Sequence, residues 1–366
     1  MLITGKNEGI RFGSSERRWQ GIPGVACTKK GRLFVTFYSG GITEELGNYC
    51  VLVVSDDDGQ SWTEPICVAY SGENARCYDP CLWMDPYHRL WFIWSEMPSG
   101  SVFCSLCENP DADTLHFSEP RVIAHGVMMN KPLVAGNGIW YFPVAVWNNG
   151  IKAGGFSFGD EEEKGSFVYA TRDGGETFIR MGAANVPERT YDEHMVLELT
   201  DGRLAMYVRT KYGIGISFSD DGGQTWSEGR ESGLKGPNSR FHIQRLPSGN
   251  ILLINHDRYQ GRDHLTAFLS QDDGSTWNGG LLLDERSNVS YPDAAVSADG
   301  VIYAVYDRER GAVYDKNTDY SDYAREILLA KFSEADILAG SLSDGTGFLK
   351  RTVSRLHHPQ QKERQD

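Results

Sequence analysis

The sequence predicts an all-β fold, a six-bladed β-propeller, on three observations. The pattern Ser/Thr-x-Asp-x-Gly-x-Thr/Ser-aromatic occurs four times, at Ser55-Asp57-Gly59-Ser61-Trp62, Thr171-Asp173-Gly175-Thr177-Phe178, Ser219-Asp221-Gly223-Thr225-Trp226 and Ser270-Asp272-Gly274-Thr276-Trp277. A second cadence, in DPYHRLWFIWS, LTDGRLAMYVR, LPSGNILLINHD and SADGVIYAVYD, joins a Gly or Asp turn to an alternating apolar strand, and each copy reads as a hairpin. The composition, with 41 Gly, 17 Tyr, 16 Phe and 9 Trp in 366 residues, suits many short strands linked by tight turns.

The four boxes start 116, 48 and 51 residues apart, so the first gap spans two periods. The decayed copy expected there is DADTLHFSEP, Asp111 to Pro120, which ends in the same aromatic-Ser/Thr-Glu-Pro cadence as SWTEP. Units of about 50 residues place the blades near 22–70, 76–125, 129–185, 190–235, 238–285 and 288–335, a radial repetition that leaves few open sheet edges. Residues 1–345 then form one propeller domain, the catalytic one. SEADILAG, Ser333 to Gly340, reads as a short helix outside the repeat, and residues 346–366 as a polar C-terminal tail.

Within each box the Asp and Ser/Thr side chains can bond the amides of a tight turn, Gly supplies a positive φ, and the aromatic ring packs between strands or blades. Equivalent sites in different blades point in different directions, whereas catalysis needs convergent groups. The boxes are therefore read as structural.

A net charge of −14 argues against nonspecific binding to nucleic acid or anionic membranes, so an anionic substrate would need a local positive patch. The seven cysteines, at 27, 50, 67, 77, 81, 104 and 107, are odd in number. Cys77-x-x-x-Cys81 and Cys104-x-x-Cys107 lack a nearby histidine pair, and buried free thiols are expected rather than a metal site. MLITGKNEGIRFGSSERRW has no apolar core behind a basic start, so no secretory signal is visible and a cytoplasmic location is expected.

The repeats resemble the Asp boxes of the sialidase (neuraminidase) superfamily of six-bladed propellers, over nearly the whole chain. That resemblance implies a glycosidase with a tyrosine nucleophile activated by glutamate, a separate carboxylic acid for the leaving group, and three arginines clamping the substrate carboxylate. A phenol avoids the repulsion that a carboxylate nucleophile would meet at an anomeric carbon already bearing a carboxylate. DEHMVLELTDGRLAMYVR is similar to the segment that carries the activating glutamate and a clamp arginine, here Glu193 and Arg209. GRDHLTAFLSQDDGSTW is similar to the stretch in which another clamp arginine precedes an Asp box, here Arg262, and SNVSYPDAAV resembles the nucleophile segment, here Tyr291.

The first blade departs from the family pattern. Where Arg-Ile-Pro would carry the first clamp arginine the chain has Gly21-Ile22-Pro23, and a further substrate arginine is replaced by Gly40. Both glycines suggest room for a bulkier sugar. The acid/base position falls on Glu45, with Glu44 beside it. Arg76 and Asp79 in NARCYDP, and Arg240 and His242 in NSRFHIQ, stand at blade entrances facing the same mouth; Lys131 and Trp147-Asn148 are weaker candidates. The expected function is retaining hydrolysis of a terminal acidic sugar, a sialic acid derivative, another ulosonic acid or a uronic acid, with a carbohydrate as partner and neither metal nor cofactor. The alternatives are a non-hydrolytic carbohydrate-binding propeller and a lyase acting beside a uronate.

Overall fold

The structure is a computed structural model that describes residues 1–4, 10–147, 158–159, 162–310, 324–343, 345 and 347–356. Six antiparallel sheets follow one another along the chain. Blade 1 contains Trp19–Cys27, Leu33–Gly40, Tyr49–Ser55 and Cys67–Ala69; blade 2 contains Arg76–Met84, Leu90–Met97, Ser101–Cys107 and Arg121–His125. Blade 3 contains Leu133–Val134, Trp140–Val146, Gly165–Thr171 and Ile179–Ala184; blade 4 contains Met195–Glu198, Leu204–Thr210, Gly213–Ser219 and Arg230–Glu231. Blade 5 contains His242–Arg245, Ile251–His256, Leu265–Ser270 and Asn278–Asp284; blade 6 contains Val289–Val296, Ile302–Arg308, Glu326–Phe332 and Phe348–Arg355.

Two ends of the chain differ from the sequence reading. Leu2–Ile3 pairs with Cys67–Ala69 and widens blade 1 to five strands. Phe348–Arg355 pairs with Glu326–Phe332 as the outer strand of blade 6, so part of the expected polar tail belongs to the propeller. Its polarity is that of an edge strand with one wet face, a pattern a tail shares. The expected helix forms at Glu334–Ala339, with Ser333 and Asp336 in a capping box and Gly340 closing it at φ 71°.

The core is divided among the seams between blades. Leu33, Val35 and Val51 of blade 1 meet Val305, Ile327 and Leu329 of blade 6, and comparable apolar clusters fill the other five seams. The boxes stand at these seams. Asp221 Oδ1 accepts the Gln224 and Thr225 amides at 3.0 and 2.9 Å, its Oδ2 accepts the Thr225 hydroxyl at 2.6 Å, and Ser219 Oγ accepts the Gly223 amide at 2.8 Å. Asp57 and Asp173 repeat this net, Asp272 repeats it without the Ser275 amide, and the hydrogen bonds hold the Asp57 and Asp221 carboxyls down at about 2. Each box aromatic, Trp62, Phe178, Trp226 or Trp277, packs into the seam with the preceding blade. In the decayed copy Ser118 Oγ still accepts the Leu106 amide, as Thr63 does from Val54 and Ser227 from Phe218, while Asp111 reaches back to Thr28 of blade 1.

All seven cysteines are buried and unpaired in blades 1 and 2. Among the described residues no helix is long and apolar enough to cross a membrane. Residues in or beside the inner strand of every blade line a cavity of about 720 Å³, with Met84, Lys131, Leu197, His242 and Ala294 in its wall. Ile22, Asp79 and Tyr291 stand earlier in the inner strands of blades 1, 2 and 6, and Glu193 just before that of blade 4, at the other mouth.

Candidate active site

A repeated backbone device shapes that mouth. The inner strands of blades 1, 2 and 6 each contain a bulge against the next strand, between Gly21 and Gly24, Tyr78 and Cys81, and Ser290 and Asp293. In each bulge the residue before a proline is left-handed: Ile22 at φ 55°, Asp79 at 50° and Tyr291 at 56°. Proline normally pushes its predecessor into extended conformations, and a β-branched Ile at positive φ is a genuine outlier. Such strain persists only where the surroundings over-determine it, and here it turns Asp79 and Tyr291 out of the strand pleat. Asp192 and Glu193, at φ 54° and 41°, give blade 4 its own strained entry.

Tyr291, from blade 6, donates its hydroxyl to Glu193 Oε1 of blade 4 at 2.9 Å. Arg209 Nη1 donates to the same Glu193 oxygen at 2.6 Å and to the Tyr291 oxygen at 3.0 Å. All three are buried. Asn238 fixes Arg209 by accepting Nε at Oδ1, 2.8 Å, and Nη2 at its carbonyl, 3.0 Å, while Asn130 Nδ2 donates to the Glu193 carbonyl at 2.8 Å. Burial and the Glu193 charge push the Tyr291 hydroxyl up from its ordinary value, and Arg209, Arg310 and Arg262 pull it partly back.

Arg262 lies 5.4 Å from the Tyr291 ring and donates Nη2 to the Asn238 carbonyl at 3.1 Å. A residue the sequence reading missed lies closer. The Arg310 guanidinium stands 4.3 Å from the same ring centroid, with Glu44 at 3.6 Å and Asp307 at 3.8 Å. Burial opposes its charge, but Asp307, Tyr291 and Glu44 outweigh burial and raise its pKa. Nothing local marks Arg310 in YDRERGAVYD; its position makes sense only against Gly21, which is remote in sequence.

Both expected vacancies are filled. A Cβ on Gly21 would lie 2.1 Å from Arg310 Cδ, and a Cβ on Gly40 would lie 1.9 Å from Asn48 Oδ1. The glycines accommodate neighbouring side chains, so they leave no extra room for a bulkier sugar. Glu45 is also displaced from its expected place: its Oε1 accepts the Ile42 amide at 2.7 Å, and its side chain lines an outer cavity with Arg11 and Tyr70. Glu44 instead turns towards Arg310.

Asp79 is buried and faces the site. Burial, with the charges of Glu44 and Glu193, pushes its carboxyl up to about 8, against the pull of Arg76 and Arg310. Arg76 is buried beside it, 4.5 Å over the Tyr78 ring, and its Nε has no hydrogen-bond partner among the described residues. Glu193 Oε2, Arg310 Nη1, Tyr78 Oη and Trp147 Nε1 are likewise unpartnered there. Trp147 and Tyr191 form an aromatic wall with ring centroids 5.5 Å apart, and Tyr78 is 6.5 Å from Trp147. Asn148 falls outside the described residues.

Arg240 has a different place. Its Nε donates to Asn130 Oδ1 at 2.7 Å, Nη1 to the Pro23 carbonyl at 3.1 Å and Nη2 to the Met129 carbonyl at 3.0 Å. It therefore ties the chain around the channel instead of presenting its fork to a ligand. His242 and Lys131 join it around buried Asp293, with the His242 Nδ1 at 3.3 Å. Those charges are compensated within the wall, and the Asp293 carboxyl is held far below its ordinary range by Lys131 and His242 despite burial. Among the described residues no cluster of His, Cys, Asp and Glu could hold a metal ion.

Asp-box seams and six blades define a repeat propeller, with a Tyr–Glu pair ringed by arginines at its mouth. The chain belongs to the BNR repeat-like domain family, whose model matches residues 30–304. In fold it is similar to the intramolecular trans-sialidase from Ruminococcus gnavus, with a TM-score of 0.65 and 14% identity over 90% of this chain and 97% of that one. A protein of unknown function from Dyadobacter fermentans DSM 18053 gives 0.62 and 18% over 80% and 91%. The Hadza microbial sialidase Hz136 gives 0.62 and 18% over 79% of this chain and 63% of that one, so this chain spans a little under two thirds of its length. At such identities these likenesses establish the fold. A search of the curated proteins finds no match.

Proposed function

We propose that the protein is a retaining exo-glycosidase acting on a terminal acidic sugar. The observation that carries this reading is the 2.9 Å hydrogen bond from Tyr291 to Glu193, set between blades 6 and 4 and surrounded by Arg209, Arg262 and Arg310. An unperturbed phenol, with a pKa near 10, is a poor nucleophile at neutral pH, and an adjacent base removes that barrier.

In the first step the Tyr291 oxygen bonds to the anomeric carbon, its proton passes to Glu193, and the glycosidic C–O bond breaks with its electron pair on the leaving oxygen. Asp79 protonates that oxygen, because it is the site carboxyl whose surroundings keep it neutral near pH 7. In the second step water attacks the same carbon, gives its proton to Asp79, and the Tyr291 oxygen leaves and recovers its proton from Glu193. The arginines hold the sugar carboxylate by charge-assisted forks.

Incubation with sialosides, uronides and neutral glycosides tests the reading. Release of a reducing acidic sugar supports it. An unsaturated product absorbing in the ultraviolet would mark a lyase, and binding without any product would mark a carbohydrate-binding propeller.

A further inference from the structure

We infer that Arg310 is the third arm of the substrate-carboxylate clamp, delivered from the exit of a blade 6 strand into the space that Gly21 leaves open. This inference rests on the acidic-sugar reading above. The Cβ that any other residue would carry at position 21 would overlap the Arg310 side chain, at 2.1 Å from Cδ and 2.8 Å from Cγ. Arg310 can therefore take this pose only because position 21 is glycine. The niche is built: Asp307 Oδ2 accepts the Ile22 amide at 2.8 Å and lies 3.8 Å from Arg310 Nε, while Glu44 stands 3.6 Å from Nη1. Nη1 itself has no hydrogen-bond partner among the described residues.

Three guanidinium groups thus gather round one phenol, and Arg262 is lowered in pKa by burial and by the nearness of Arg310 and Arg209. Glu193 pairs with Arg209, and Asp307 and Glu44 stand near Arg310, but among the described residues no carboxylate lies within 4 Å of the Arg262 guanidinium, so the cluster suits an anion beside the Tyr291 oxygen. A carboxylate carried on the anomeric carbon itself fits that placement, because Tyr291 attacks that carbon; a uronate would carry its carboxylate across the ring. Arg310 therefore sets specificity for 2-ulosonic acids.

Calorimetric titration tests this with three probes: the 2,3-didehydro form of N-acetylneuraminic acid, its methyl ester, and D-glucuronic acid. Wild-type protein is expected to prefer the free ulosonic acid to its ester. Arg310→Ala should weaken the acid about 10- to 100-fold, the loss of one charge-assisted contact, and leave the ester unchanged. Arg310→Lys keeps the charge without the fork and should recover part of the preference. Gly21→Arg with Arg310→Gly moves the fork back to the first blade and should recover most of it; these two variants decide the matter if Arg310→Ala fails to fold. An unchanged acid-over-ester preference in folded Arg310→Ala, or in Arg310→Lys together with loss of preference in the exchange variant, overturns the inference alone. Wild-type binding of glucuronate without the ulosonic acid also overturns it and leaves an acidic-sugar function standing, whereas binding of neither acid sinks both.

Discussion

Asp79 and Tyr291 occupy the same place in their blades: each precedes a proline, each is left-handed, at φ 50° and 56°, and each sits in a bulge of an inner strand. One backbone device, used in blades 2 and 6, aims a carboxyl and a phenol into the same mouth. Ile22 repeats the device in blade 1 with an apolar side chain, and its amide holds Asp307 behind Arg310.

Asp79→Asn should abolish hydrolysis of substrates with poor leaving groups and largely spare aryl glycosides whose leaving group departs unprotonated. The same substitution changes stability in a defined window. Because the native carboxyl titrates at about 8, far above its ordinary value near 3.9, the folded state retains a proton that the unfolded chain has released. Native stability from this group is full below about pH 4 and declines as pH rises to about 8. Asn carries no such penalty, so the variant should melt higher than wild type at pH 7, with the difference vanishing towards pH 4. Wild-type kcat should also fall as pH rises through about 8, and a profile flat across that limb would remove Asp79 from the acid role.

Tyr291→Phe should eliminate turnover while ligand affinity stays within a few fold, since the arginines proposed to hold the carboxylate remain in place. Glu193→Gln should lower kcat by about 100-fold or more, the usual contribution of a general base. Parallel measurement of kcat and Kd separates chemistry from binding. Retained turnover in Tyr291→Phe would exclude the covalent route.

Asp221→Ala should lower Tm and leave kcat/KM near wild type, because the carboxylate accepts its bonds within one turn of blade 4. Its depressed pKa, about 2, means that the stabilisation is present above the ordinary aspartate value and is lost as pH falls towards 2, where the two proteins should converge. Gly175→Ala should be more severe: its φ is 90°, and the added Cβ would lie 2.4 Å from Trp91 of blade 2. A loss of about 2–4 kcal/mol in denaturant titrations is expected from overpacking and backbone strain together. An activity change without a stability change in Asp221→Ala would contradict the structural role.

The fold was legible because the repeats state their own period, and each box aromatic marks a seam. Tyr291, Glu193, Arg209 and Arg262 were legible from local segments that resemble the family, and the structure gathers them. Arg310 was not, since its relation to Gly21 is a contact between distant residues with no spacing rule to expose it. Glu45 was read as the acid/base residue, but neighbouring loop residues diverge in direction, and only the Ile42 amide shows that Glu45 folds back while Glu44 turns towards Arg310. Arg240 looked like a mouth residue by register, but its hydrogen bonds are all with the channel wall. The last strand was hidden because an outer edge and a tail have the same polar composition.

Among the described residues every blade is drawn from one stretch of chain, with Leu2–Ile3 staying in its own blade, and no strand is exchanged to fasten the circle. Blades 6 and 1 are joined sideways, through Arg17 to Ser354, Ser354 to Gln20, Val25 to Asp293 and Ile22 to Asp307. The molecule is thus a hoop with a clasp, and the clasp lies directly behind Tyr291 and Arg310. Arg310 of blade 6 and Glu44 of blade 1 face each other across that clasp, 3.6 Å apart. The seam that closes the circle therefore also holds one edge of the candidate site, and parting there would draw Arg310 away from Glu44 and Asp307 away from Ile22.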